Sequence, residues 1–336
     1  MDELPYHDHD YNPCSGSFIH VLTNLLSHSG FRLIYVDENG NMSLVNPSED
    51  VSKEDVLEKG YRCISHLWGK AAHWKDHPVQ NVTWKVELRE EKREKLLQIF
   101  NHYKGYWWID NFCIDQESSV KPLSIMGDVY SRCTECVCML DIKIPESFRQ
   151  PVELWPKKFG AIYGHMAEVV NCKWNKRIWT LQEWMLSPKA CYTEETSEKG
   201  LHIINRSDIM SVVSDEPSGI SYVLWIIFRP KIMISTIVLF DNEYSPRWKM
   251  AYLIKSGRKC KNPEDYYYGI AGVFDVSLTD GLSFREVEKE FISGLNADCR
   301  RRFKIGPSPN EKQVYKHWKY VDDSNISIIR WLYNVL

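Results

Sequence analysis

Three short apolar runs constrain what this chain can fold into. They are Tyr61-Arg62-Cys63-Ile64-Ser65, Tyr106-Trp107-Trp108-Ile109 and Cys136-Val137-Cys138-Met139-Leu140. Each has the length of a buried strand and runs straight into polar residues: Ser65-His66, Asp110-Asn111 and Asp141. Between them lie stretches with helical spacing. Residues 87–103 are charged but carry Leu88, Leu96, Ile99, Phe100 and Tyr103 on one side, and residues 121–132 read as a second helix. A further helix is expected over 152–170, another over 173–186, and a short strand over 189–192. Continuous apolar strands alternating with helices argue for a parallel sheet covered on both faces. Right-handed crossovers bring the carboxyl ends of such strands to one edge, where these sheets bind ligands.

The flanks read differently. Residues 1–17 form a polar, acidic leader in which His7 and His9 alternate with Asp8 and Asp10, a solvated tail rather than a metal site. Helical periodicity spans 17–28. Phe31 to Val36 and Met42 to Val45 read as a hairpin, because Asn39-Gly40 supplies the positive φ of a tight turn. Ser52 to Glu58 is a short helix with Ser52 as its cap. Beyond Gly200 the pattern is mainly helical, with segments expected over 221–228, 232–240, 246–255, 264–274, 284–303 and 315–336. The polar stretch 194–200 marks the boundary. The expected organisation is therefore 1–59 (leader, helix and hairpin), 60–195 (the α/β domain) and 196–336 (a mainly helical region).

Composition excludes some partners and settings. A net charge of -3 gives no basic face for nucleic acid. Ten cysteines in 336 residues are too sparse for a disulfide scaffold, and Cys63, Cys113 and Cys138 sit in apolar runs, as reduced thiols do. An intracellular, cytoplasmic protein is expected. The apolar stretch 219–240 is cut by Arg229-Pro230-Lys231, so neither half reaches the ~20 residues of a spanning helix. Cys133, Cys136 and Cys138 lack a second paired motif for zinc and read as packing. GxGxxG, Walker, HExxH and GxSxG signatures are absent.

The stretch KWNKRIWTLQEWML, residues 173–186, carries the chemistry. A helix would stack Trp179, Glu183 and Leu186 on one face, which sets one carboxylate among Trp179, Leu181, Trp184 and Met185. A carboxylate in apolar company takes a partner, takes a proton, or does work. The bland alternative is that Glu183 caps a helix or pairs with Arg177.

Five blocks resemble the fungal heterokaryon-incompatibility (HET) domain. Tyr61 to Gly69 is similar to its opening Y-x-x-L-S-Y-x-W-G block. Trp108-Ile109-Asp110-Asn111-Phe112-Cys113-Ile114-Asp115-Gln116 is similar to W-I-D-x-x-C-I-N-Q, and Met126 to Tyr130 to the M-x-x-I-Y helix. Arg177 to Glu183 is similar to R-x-W-T-x-Q-E, and residues 258–272 to a downstream P-x-D-x-x-Y-G-x-x-G segment. His66 stands where the family usually has Tyr, Asp115 where it has Asn, and residues 117–123 lack the usual acidic-Arg and Gln residues.

The resemblance implies a TIR-like (flavodoxin-like) parallel sheet flanked by helices. Enzymatic TIR domains carry W-C-x-x-E, whose Glu serves NAD glycohydrolysis; Trp179 and Glu183 keep that spacing, with Thr180 in place of the Cys. The implied site has Glu183 as the catalytic carboxylate, and Ser65, His66, Trp68, Asp110, Asp115 and Trp179 lining the substrate. The nicotinamide dinucleotide is a substrate rather than a cofactor, and no metal is needed. The alternative is a non-enzymatic signalling module that self-associates or docks a partner protein. An effector reusing the same fold is a further option.

Overall fold

The computed structural model describes residues 22–49, 52–68, 72–144, 146, 168–169, 171–196, 200–205 and 258–295. The leader, the apolar stretch 219–240 and the helices expected over 221–228, 232–240, 246–255 and 315–336 lie outside the described residues. So does the helix expected over 152–170, apart from residues 168–169.

The chain opens with a helical turn over 22–26 and then forms the expected hairpin, β1 (Leu33–Val36) against antiparallel β2 (Met42–Val45). Gly40 takes the one positive φ of the turn, 85°, and the Asn41 N–H donates to Asp37 Oδ1 at 2.7 Å. The short helix α1 (Ser52–Lys59) leads into β3 (Tyr61–Ser65). Four two-residue strands follow in part: β4 (Ala72–His73), β5 (Val79–Gln80) and β6 (Glu87–Leu88), before helix α2 (Glu90–His102), β7 (Gly105–Trp108) and the one-turn helix α3 (Asp110–Cys113); the fourth, β10 (Ile204–Asn205), comes late in the chain. Helix α4 (Met126–Arg132), β8 (Glu135–Leu140), helix α5 (Thr180–Met185) and β9 (Ala190–Glu194) complete the first part, and α6 (Asp265–Ala271) and α7 (Phe284–Gly294) follow.

Three expectations are corrected at their edges. The 87–103 helix starts at Glu90, because Glu87–Leu88 pairs with Ala72–His73 as a small second sheet. The 121–132 helix starts at Met126, because Pro122 and the bonds from Ser124 N and Oγ to Asp280 hold residues 121–125 outside it. The 173–186 helix divides into a 3-10 turn, Trp174–Lys176, and α5, with Trp179 as its N-cap and Leu186 as its C-cap.

The main sheet has eight strands in the order β10-β9-β8-β3-β7-β1-β2-β5. Its centre, β9-β8-β3-β7, is parallel throughout, with Cys63 opposite Cys136 and Trp108, and Leu140 opposite Glu194. The edges depart from the all-parallel expectation. The hairpin adds antiparallel to β7 through β1, and β10 adds antiparallel to β9. The central strands, and β8 above all, are buried along their length, which is why they read as continuous apolar runs rather than alternating ones.

Numbered by chain order, the parallel strands lie 2-1-3-4, so the chain reverses direction across the sheet between β3 and β8. Helix α5 packs over these two strands, α4 and α6 pack on α5, and α7 packs on α6. Phe284, Val287 and Phe291 form the buried stripe of α7. Among the described residues no helix is long and apolar enough to cross a membrane.

Candidate functional site

The carboxyl ends of β3, β7, β8 and β9 deliver Ser65, Asp110, Asp141 and Glu194 to one edge of the sheet. Helix α5 lays Glu183 against the end of β3. Ser65 Oγ donates to Glu183 Oε2, closing a contact across 118 residues, and accepts from Trp174 Nε1 at 2.8 Å. All three side chains are buried. Burial pushes the Glu183 carboxyl up to about 7; the Asp110 charge adds to this, while the Ser65 hydrogen bond and the charges of Arg177 and Arg258 oppose it. A carboxylate that titrates near neutrality can accept a proton in one step and return it in the next.

A second cluster lies beside it. His66 Nε2 is 3.0 Å from Asp110 Oδ1, Trp68 Nε1 donates to Asp110 Oδ2 at 2.5 Å, and the Asn111 N–H donates to Asp110 Oδ1 at 2.7 Å. His66 Nδ1 lies 3.2 Å from the Leu67 carbonyl oxygen. Burial alone would raise the Asp110 carboxyl, but His66, Trp68 and the Arg177 charge outweigh it and hold the group below the usual carboxylate range. The two carboxylates therefore differ: Asp110 stays ionised, whereas Glu183 changes state near neutral pH.

Five of the expected residues, Ser65, His66, Trp68, Asp110 and Glu183, thus meet at one edge. Two stand apart. Trp179 acts on the Asp265 carboxylate of α6, opposing the rise that burial imposes there, and Asp115 Oδ1 accepts from the N–H groups of Glu117 and Ser118 in a local turn. Arg177 makes no ion pair with Glu183; its charge is felt by Glu183, Asp110 and Asp265 alike.

Sequence reasoning missed the residues that hold the cluster. Buried Arg258 donates through Nη1 to the Arg177 carbonyl (2.7 Å) and Thr180 Oγ1 (2.8 Å), and through Nη2 to Asn175 Oδ1 (2.5 Å). A backbone bridge between Arg177 and Lys259 continues that clamp. Fully buried Lys92 bonds the Leu67 carbonyl and ion-pairs with Glu195 at 2.8 Å, and Arg89 takes the other oxygen of Glu195. Burial lowers the Lys92 ammonium to about 8, with Glu195 opposing. The signal for Lys92 was present: it lies three residues after Arg89, the N-cap of α2, and three before Lys95 on the same side of that helix.

Other chemistries find less support. The Cys113 thiol is pushed up to about 12 by burial, so it is no nucleophile at neutral pH. Cys133, Cys136 and Cys138 are buried in the core. Among the described residues, no group of His, Cys, Asp and Glu is arranged to hold a metal ion.

Comparison with known proteins bears on this edge. No solved structure matches the chain. It is 24% identical over 254 residues to the Vegetative incompatibility protein HET-E-1 of Podospora anserina, a match that covers 74% of this chain and 16% of that protein. The chain thus spans a small part of that relative's length. The family model Heterokaryon incompatibility protein (HET) matches residues 61–183. Its limits are Tyr61, the first residue of β3, and Glu183, the carboxylate that β3 meets through Ser65. Over this segment the chain is similar to the heterokaryon-incompatibility (HET) family.

Proposed function

We propose that the HET domain is a TIR-like, flavodoxin-type unit that binds a nicotinamide dinucleotide at the β3–β8 edge and hydrolyses it, as the effector step of a heterokaryon-incompatibility or cell-death response. The observation that carries the reading is Glu183, buried at the edge where the strand order reverses and poised near neutrality. The parallel order 2-1-3-4 is that of flavodoxin-like sheets, whose ligands bind at such a reversal. The role in incompatibility follows the similarity to the HET family and to the Podospora vegetative incompatibility protein.

The chemistry asks for one carboxylate. As the nicotinamide–ribose bond breaks, its electron pair leaves with the neutral base and positive charge builds on the ribose. Ionised Glu183 stabilises that charge and then takes a proton from the water that attacks the anomeric carbon, giving ADP-ribose. Asp110, held by His66 and Trp68, keeps a fixed negative charge alongside. A cytoplasmic setting supplies the dinucleotide and suits buried free thiols.

The test is the full chain incubated with NAD, with nicotinamide and ADP-ribose followed over time. Glu183→Gln should abolish product while leaving the fold intact by circular dichroism; unchanged turnover would sink the assignment. A second reading, a non-enzymatic module acting by assembly or partner docking, is favoured by one observation. The Ser65–Glu183 bond also closes the packing of α5 on β3, a structural task in its own right. Absence of product together with concentration-dependent assembly would decide for it.

A further inference from the structure

With Glu183 ionised and therefore acceptor-only, the hydrogen-bond inventory at Ser65 admits one arrangement. An indole N–H only donates, so Trp174 Nε1, 2.8 Å away, must find an acceptor in Ser65 Oγ. A hydroxyl has a single hydrogen, and the remaining partner of Ser65 Oγ is Glu183 Oε2. The hydroxyl hydrogen therefore points at Oε2, and Oε2 must be an acceptor. While Ser65 keeps donating to Oε2, a proton taken up by the carboxylate goes to the other oxygen, Oε1. Glu183 Oε1 makes no hydrogen bond among the described residues, and it is not among the sealed polar atoms that lack a partner. The 7% exposure left to Glu183 includes this oxygen.

We propose that Ser65 is a positioning residue rather than a substrate contact: oriented by Trp174, it locks Glu183 Oε2 and leaves Oε1 as the oxygen that takes up and releases the proton. The inference rests on Glu183 being the acting carboxylate. It gives Trp174, whose indole has no other polar partner than Ser65 among the described residues, the task of preventing the hydroxyl from rotating. It also accounts for an exposure of only 1% at both Ser65 and Trp174, since neither has to meet substrate.

The experiment follows the carboxyl directly and needs no turnover. Full-length protein is labelled with glutamate enriched in 13C at the side-chain carboxyl, and the Glu183 resonance is identified as the one lost in Glu183→Gln. A hydrogen bond to the ionised form favours that form, so its removal must move the midpoint upward. Ser65→Ala is expected to raise it by about one pH unit or more, a tenfold change in the protonation equilibrium. Ser65→Thr, which keeps the hydroxyl, should stay close to the parent value. Trp174→Phe, which frees the hydroxyl to rotate, should give a smaller rise.

An unmoved midpoint in Ser65→Ala, or a Ser65→Thr variant that behaves like Ser65→Ala, overturns the proposal. If Ser65→Ala does not fold, Trp174→Phe carries the test, and an unmoved midpoint there overturns it equally. NAD hydrolysis with an unmoved midpoint sinks this inference alone. A shifted midpoint without NAD hydrolysis keeps the lock and sinks the hydrolase reading.

Discussion

Gly127 and Gly272 touch backbone to backbone. A Cβ added to Gly272 would stand 2.7 Å from Gly127 Cα and 2.7 Å from Leu186 Cδ1, and one added to Gly127 would stand 2.9 Å from Gly272 Cα. This contact seats the turn after α6 on α4, just beyond the Glu183 helix. Alanine would gain up to about 1 kcal/mol of helix propensity at either position. The steric cost should win, because the obstruction is main chain rather than the end of a flexible side chain. Gly127→Ala and Gly272→Ala are each expected to lose about 1–3 kcal/mol in denaturant unfolding. A loss within 0.5 kcal/mol would show that the two elements can move apart.

Arg258 ties the segment after residue 257 to the approach of α5. Its guanidinium is buried and its bonds go to Asn175, Thr180 and the Arg177 carbonyl, so truncation leaves several buried acceptors unpaired. Arg258→Met should cost roughly 3 kcal/mol. It should also raise the Glu183 midpoint, because a cation that favours the carboxylate is gone. Arg258→Lys should recover little, since one ammonium does not reproduce a planar fork. Full recovery by lysine would refute the geometric part of this account.

The Glu183 carboxyl also leaves a mark on stability. Its folded value near 7 lies above its ordinary value of 4.5, so between these limits the folded chain holds a proton that the unfolded chain has released. Stability contributed by this group is therefore present below about pH 4.5 and is lost as pH rises through 7. The loss amounts to roughly 3 kcal/mol. Glu183→Gln has no such dependence, so the variant should overtake the parent in unfolding free energy above neutral pH. Parallel stability curves from pH 5 to 8 would contradict it.

Lys92 supports the other cluster from below. Its ammonium stays charged at pH 7, and its side chain is sealed against Leu67 and Glu195. Lys92→Met should leave Glu195 with Arg89 alone and cost about 3–5 kcal/mol. Arg89→Met should cost less, because 23% of the Arg89 side chain remains in solvent. Hydrogen exchange should accelerate at residues 66–68 in Lys92→Met, since the Leu67 carbonyl loses its anchor. Exchange that stays slow there would show the loop to be held by His66 and Trp68 without help.

The strands and their shared edge were legible because burial on both faces leaves an apolar run that ends where the polar residues begin, as at Ser65, Asp110 and Asp141. The hairpin was legible because Gly40 answers a local backbone need. What could not be read was partnership across distance. Nothing local says that Trp174 will meet Ser65 across 109 residues, or that Arg258 will meet Asn175 across 83. Nor does local pattern say that β1 will join β7 antiparallel, because an edge pairing is chosen by the whole sheet. Trp179 shows the opposite error: helical spacing placed it correctly one turn before Glu183, yet its indole turns to Asp265 on a helix that spacing does not see.

The hairpin at residues 33–45 has one more consequence. It occupies the flank of β7, with Tyr35 opposite Tyr106 and Ile34 opposite Trp107. A chain trimmed to residues 61–183 would uncover Gly105-Tyr106-Trp107-Trp108 as a bare aromatic border of unpaired N–H and C=O groups. Such a border is a template for strand-by-strand stacking of one copy on the next.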